Sequence, residues 1–239
     1  MKRLLLLISI ISTIQACGQK DIKKYVVRNT NLIKTIEPDS LNFSDLEAIG
    51  EAIGDSRIVM MGEQDHGDAP TFLAKTRLVK YLREKKGFDV LAFESDFFAL
   101  NEGWTRLDKQ KVKIDSFLRS NIFDIWTNCK QCDQLFYSYV SGSFERKSPI
   151  DITGFDSQIH GKYSVNLKIY IDSLLKAKQI PITRKSSYQS NFLPFIDSSK
   201  VSRQQSKINL FINQLDTIIK ELPPNTSSFD LLLLNSMRE

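Results

Sequence analysis

The chain has 239 residues, of which 41% are hydrophobic and 26% charged. That balance is too apolar for a disordered tail and too charged for a protein crossing a membrane many times, and the length suits one α/β domain. The formal charge is +5. Lys2 and Arg3 supply two of those units, and the remaining basic residues fall in short or mixed runs such as Arg83-Glu84-Lys85-Lys86. These read as solvated faces, so no nucleic-acid partner is expected.

Lys2-Arg3, the apolar run from Leu4 to Ile14 and the small residues before Cys17 predict an export signal over residues 1–16. At about 1.5 Å per residue the run covers about half of a hydrocarbon core about 30 Å thick, so it does not predict a membrane span. Ile14-Gln15-Ala16-Cys17 resembles the lipobox of bacterial lipoproteins. The resemblance implies lipid on Cys17, residues 17–40 as a tether and lead-in, and a folded domain over 41–239. It also implies an exported protein anchored to a bacterial membrane on its periplasmic or cell-surface side. Export would place Cys129 and Cys132 in an oxidising compartment. Their C-x-x-C spacing lacks the second pair that zinc requires, so two free thiols or a local disulfide is expected and no metal.

Ser44-Asp45-Leu46-Glu47 has the form of a capping box, and Leu46, Ile49 and Ile53 at helical spacing predict a short helix stopped by Gly54. Arg57 to Met61 is apolar and β-branched and predicts a strand buried on both faces. From Pro70 the pattern turns helical up to Gly87, and Phe88 to Phe93 predicts a second buried strand. A strand, helix, strand unit has its strands parallel. The aromatic-rich stretch from Phe97 to Arg146 predicts helices over the sheet, and Ile150 to Phe155 a third strand. Helices are predicted from about Tyr163 to Lys178, from Ser198 to Leu222 ahead of Pro223-Pro224, and from Phe229 onward with Ser227 or Ser228 as cap. The last of these ends without glycine, proline or polar tail, which reads as a domain cut short. The expected fold is α/β, with a mostly parallel central sheet and helices on both faces.

Gly62-Glu63-Gln64-Asp65-His66-Gly67 follows the first predicted strand, and an open parallel sheet binds ligands beyond the carboxyl ends of its strands. Glu94 follows the second strand and Asp156 the third. This predicts an imidazole and several carboxylates at one sheet edge. A neutral imidazole takes a proton from water near pH 7, and a carboxylate beside it fixes the tautomer and stabilises the imidazolium. No nucleophile elbow and no phosphate-binding glycine loop occur, so water is the expected nucleophile. His160 reads as an exposed loop residue.

Gly62-Glu63-x-x-His66-Gly67, then Lys75 and Arg77 in the next helix, then Gly87-Phe88 leading to Phe93-Glu94, resembles the erythromycin esterase family. Gly154-Phe155-Asp156 resembles a later G-x-D element of that family, and Asn235 to Glu239 the start of a further helix. The resemblance implies an erythromycin esterase-like fold and a metal-independent hydrolase without a cofactor, in which a histidine activates water against an ester. In some members that ester is a macrolide lactone. By position it implies His66 as base, Glu63 and Glu94 as its acidic neighbours, and Lys75, Arg77, Asp156 and Asp65 as substrate-binding or supporting residues. Asp65 and Pro70 depart from the family pattern, and a second family histidine has no counterpart before Glu239. The competing readings are a non-catalytic surface lipoprotein that binds a ligand or partner in the same crevice, and a metal-dependent hydrolase using Glu63, His66, Glu94 and Asp156.

Overall fold

The computed structural model describes residues 21–63, 65–146, 148–196 and 204–238. The predicted export signal, the expected lipid-attachment residue Cys17 and the start of the predicted 198–222 helix lie outside them. The chain is mixed α/β and rich in helix, with a two-stranded parallel sheet among the described residues. The principal elements are α1 (Glu47–Ile53), α2 (Ala69–Lys86), β1 (Val90–Asp96), α3 (Lys111–Asn121), β2 (Asp151–Asp156), α4 (Leu167–Ala177), α5 (Gln205–Glu221) and α6 (Ser228–Ser236). Short helical turns, some of them 3₁₀ or π, fill the stretch between α3 and β2.

β1 and β2 pair in the register Val90↔Asp151 to Phe93↔Gly154, and a bulge then shifts the pairing to Asp96↔Asp156. Along β1, Leu91 is buried, Phe93 is half-buried, and Val90, Ala92 and Glu94 are exposed, as a period-2 strand with one covered face requires. The bulge breaks the alternation, so the successive residues Ser95 and Asp96 are both buried. Leu91 and Ile152 enter a core with Trp104, Ile114, Phe117, Leu118, Trp126, Phe136 and Val140. A second core joins α4, α5 and α6 through Leu167, Ile171, Leu175, Phe211, Leu215, Ile218, Leu233 and Leu234.

Three expectations need correction. Arg57 to Met61 is extended but makes no ladder with β1, so the sheet has two strands among the described residues rather than three. Val59 still turns inward onto a third, smaller cluster of Phe43, Leu46, Tyr81 and Leu82, and Met61 onto the sheet core, while Ile58 and Met60 face out, at 79% and 92% exposure. The expected cover on both sheet faces is absent at β1, whose outward row is open. Parallel strands are stable as ladders when both faces are covered, and this edge lacks that cover. Finally, the capping box is not made: α1 starts at Glu47 with the apolar Leu46 at its N-cap, so Ser44 lies two residues before the cap and Glu47, instead of reaching back, accepts from the Tyr81 hydroxyl at 3.4 Å. By contrast Ser227 does cap α6, accepting from the Asp230 backbone N–H.

Candidate functional site

The loop before α2 carries the best-formed acid–base pair. Glu63 Oε2 accepts a hydrogen bond from His66 Nδ1 at 2.9 Å, which directs the other ring nitrogen, Nε2, away from the carboxylate. Gly67 ends the turn at φ +80°, a left-handed backbone that a side chain would strain. Asp68 accepts from the Thr71 hydroxyl in the first turn of α2. The imidazole packs edge-on against Trp126, with ring centres 5.5 Å apart. Trp126 in turn meets Phe93 of β1 at 5.7 Å and Phe72 of α2 at 6.3 Å. The histidine is thus seated on the main core while its side chain stays 63% exposed, and Glu63 is much less so at 20%.

Beside the pair lies a small hollow lined by Glu63, Asp65, Lys75, Trp126, Cys129 and Cys132, with Thr71 and Phe72 at its base. Its volume is about 10 Å³, room for about one water. Lys75 and Asp65 therefore line the same hollow as Glu63. The other carried-over residues are placed elsewhere. Arg77 is fully buried and donates to Asp45 Oδ1 at 2.6 Å, Asp45 Oδ2 at 3.0 Å, the Asn42 carbonyl at 2.6 Å and the Thr35 carbonyl at 2.8 Å. It clamps the lead-in segment rather than facing a substrate. Glu94 lies on the open face of β1, opposite to Phe93, with no hydrogen-bond or ion-pair partner among the described residues. Asp156 turns back to accept from the backbone and side-chain amides of Gln158 at 2.9 and 3.2 Å.

The sheet end instead organises residues that the sequence reading passed over. Asp96 accepts from the backbone amides of Ala99, His160 and Gly161 at 2.9, 3.0 and 3.0 Å and from the Ser164 hydroxyl. His160 stacks flat on Phe123 at 3.6 Å, and its Nε2 lies 3.1 Å from the buried Ser95 hydroxyl. Its Nδ1 lies 3.3 Å from the Gln158 carbonyl, and the Ser95 hydroxyl beside Nε2 also donates to the Asn121 carbonyl at 3.2 Å. A cavity of about 410 Å³ opens at the carboxyl ends of both strands, lined by Asp96, Asp156, Ser157 and an apolar wall that includes Phe97, Phe211 and Leu233. Neither Glu63 nor His66 lines it. Among the described residues no group of three or more His, Cys, Asp or Glu side chains is placed to hold a metal ion.

Comparison with known proteins adds a relationship over part of the chain. It is 32% identical over 123 residues to the protein named "Putative hydrolase YbfO" of Bacillus subtilis (strain 168), a match covering 52% of this chain and 27% of that protein. It is 36% identical over 64 residues to erythromycin esterase type II of Escherichia coli, covering 27% of this chain and 15% of that enzyme. A crystal structure of a Bacillus cereus protein superposes with a TM-score of 0.61 at 18% identity, over 92% of this chain and 55% of that one, which shows a shared fold. No protein-family profile matches. The matches relate the chain to proteins named as hydrolases, and the chain spans about a quarter of the length of YbfO, 27%.

Proposed function

We propose that the chain carries the general-base half of an erythromycin esterase-like hydrolase site. The observation that supports this reading best is the 2.9 Å pairing of Glu63 with His66 Nδ1 on an exposed loop. With Nδ1 donating to the carboxylate, Nε2 holds a lone pair toward solvent and takes a proton from water as that water attacks an ester carbonyl. Glu63 then faces an imidazolium and stabilises it. Lys75, in the adjoining hollow, supplies positive charge for the oxygen on which negative charge develops. The substrate class is an ester, and a macrolide lactone is the member suggested by the similarity to erythromycin esterase type II. In this proposal Arg77 supports the site indirectly, by fixing through Asp45 the helix that carries Lys75, and Glu94 and Asp156 are supporting residues near the carboxyl ends of the strands.

The test is hydrolysis of a chromogenic ester and of a macrolide by the chain and by His66→Ala. The expected loss is about 10²- to 10⁴-fold, the usual contribution of a positioned base. Equal rates would overturn the role of His66. The reading also keeps Cys17 as a lipid-attachment residue on an exported protein, and no described helix is long and apolar enough to cross a membrane. Labelling cells with a radioactive fatty acid checks it: the label enters the wild type and is absent from Cys17→Ser.

A second reading, a binding protein without turnover, draws on the cavity of about 410 Å³ at the strand ends, which has the size of a small-molecule site and no part in the Glu63–His66 pair. Saturable binding of a macrolide with undiminished affinity in His66→Ala, and no hydrolysis, would favour it.

A further inference from the structure

The C-x-x-C pair is left without a role by the hydrolase reading, yet the fold places it on the wall of the hollow beside Glu63. Cys129 and Cys132 bracket a 3₁₀ turn, closed by a hydrogen bond of 2.9 Å from the Cys132 amide to the Cys129 carbonyl. Such an i to i+3 closure holds the two Cα atoms within about 7 Å, which overlaps the range of about 4.4–6.8 Å spanned by a disulfide. Both thiols are free, Cys129 half-buried and Cys132 buried, and the Cys129 thiol donates to the Gln131 side-chain carbonyl at 3.4 Å. The turn follows directly on the segment Asp124–Thr127, which carries Trp126, the ring that seats His66.

We propose that Cys129 and Cys132 form a thiol–disulfide exchange site that takes small-molecule disulfides and shifts Trp126 against His66. The half-exposed Cys129 thiolate attacks one sulfur of the small disulfide, forming a mixed disulfide and releasing one small thiolate. The Cys132 thiolate then attacks Cys129 Sγ and expels the second small thiolate. The two protons lost by the cysteines end on the two released thiols, and the electrons of the two S–H bonds reduce the small disulfide. The hollow has no room for the first adduct, since about 10 Å³ holds about one water. The adduct on the half-exposed Cys129 therefore projects to solvent, and it is closure of the Cys129–Cys132 bond that pulls on the wall carrying Trp126. The second step is the slow one. Burial, the largest of the effects that push the Cys132 thiol up, and the nearby charge of Asp133 both persist once Cys129 is capped, so little thiolate is present to resolve the adduct. Glu63, Asp65 and Asp68 add further negative charge around the hollow, opposed by Lys75.

The experiment exposes the folded chain to glutathione disulfide and maps the cysteines by peptide mass, counting Cys17 separately. The expected sequence is a glutathione adduct on Cys129, followed by a Cys129–Cys132 disulfide with the glutathione lost. Cys132→Ser should stop at the adduct, and Cys129→Ser should leave Cys132 unmodified. The imidazole proton signals of His66, assigned against His66→Ala, should move on oxidation and return with excess reduced glutathione. Persistently free thiols would overturn the site, and a disulfide that leaves His66 unmoved would overturn its coupling to the pair. Neither readout uses ester hydrolysis, so failure here is separate from failure of the hydrolase reading.

Discussion

At the scale of single residues the most consequential interaction is the buried pair of Arg77 and Asp45, both side chains 2% exposed. Two guanidinium nitrogens are committed to Asp45 and to the carbonyls of Thr35 and Asn42, so removal of the carboxylate strands a buried cation. Asp45→Ala is expected to cost about 3–5 kcal/mol, read as a lower urea midpoint. The hydrogen bond from Arg77 holds the Asp45 carboxyl well below the usual carboxylate range, against the opposing effect of burial. A carboxyl lowered in the folded state contributes stability that is present above its unfolded value of about 3.9 and is lost as pH falls below it. Stability should therefore drop between about pH 4 and pH 2, and the drop should be shallower in Asp45→Ala. The same pair shows how far a motif read in sequence can be trusted. Lys75 and Arg77 are two residues apart, which on a helix turns their side chains about 200° from each other. They cannot both face one hollow. Lys75 does and Arg77 does not, and nothing in the spacing alone says which of the two is the buried one.

At the scale of elements, Gly154 has a physical reason that its place in a G-x-D run does not reveal. A Cβ there would lie 2.5 Å from the Asp96 carbonyl oxygen and 2.7 Å from that of Ser95, both of them backbone atoms. The bulge in β1 brings those carbonyls over β2, so Gly154→Ala must displace a strand end. The expected cost is about 1–3 kcal/mol in thermal or urea unfolding, typical of overpacking. The open segment from Arg57 to Met61 gives the opposite expectation. Met60→Gln should change stability by less than about 0.5 kcal/mol, because its side chain is 92% exposed. Met61→Ala should cost about 2 kcal/mol or more, because Met61 packs on the main core. Equal costs would show that the inward and outward alternation is not real. The sequence made most of the elements legible: α2 with its Gly87 stop, the two strands, and the helices after Tyr163 and Ser227. Its period-2 pattern in β1 was also legible, and it places Glu94 and Asp96 on the same face. The bulge reverses Asp96 alone, and a one-residue insertion in a ladder leaves no mark in composition or periodicity. That is why Glu94 drew the functional reading, while the network of four donors on Asp96 went unseen.

At the scale of the molecule, the sheet core and the α4–α6 core meet at the end of β1, and Asp96 is the polar joint between them. Behind it lie the sheet and the aromatic cluster around Phe136; beyond it Phe98 joins the α4–α6 core, packing on Tyr163 and Tyr170 at 5.7 and 5.3 Å. Asp96 ties the two by holding the Ala99 amide on one side and the His160 and Gly161 amides and the Ser164 hydroxyl on the other. Asp96→Ala would leave those donors without their acceptor, at about 1–3 kcal/mol for each that water cannot reach. The expected total is at least about 3 kcal/mol. Because the loss falls at the joint, it should also separate the two cores. Near-ultraviolet circular dichroism, dominated by the aromatic cluster of the sheet core, and far-ultraviolet ellipticity, dominated by helix, should lose their common midpoint in urea. Asp96→Asn keeps one acceptor oxygen and should restore part of the stability and most of the coincidence. A single unchanged transition in Asp96→Ala, with a loss below about 1 kcal/mol, would mean that apolar packing through Phe98 and Tyr163 joins the halves without help from the carboxylate.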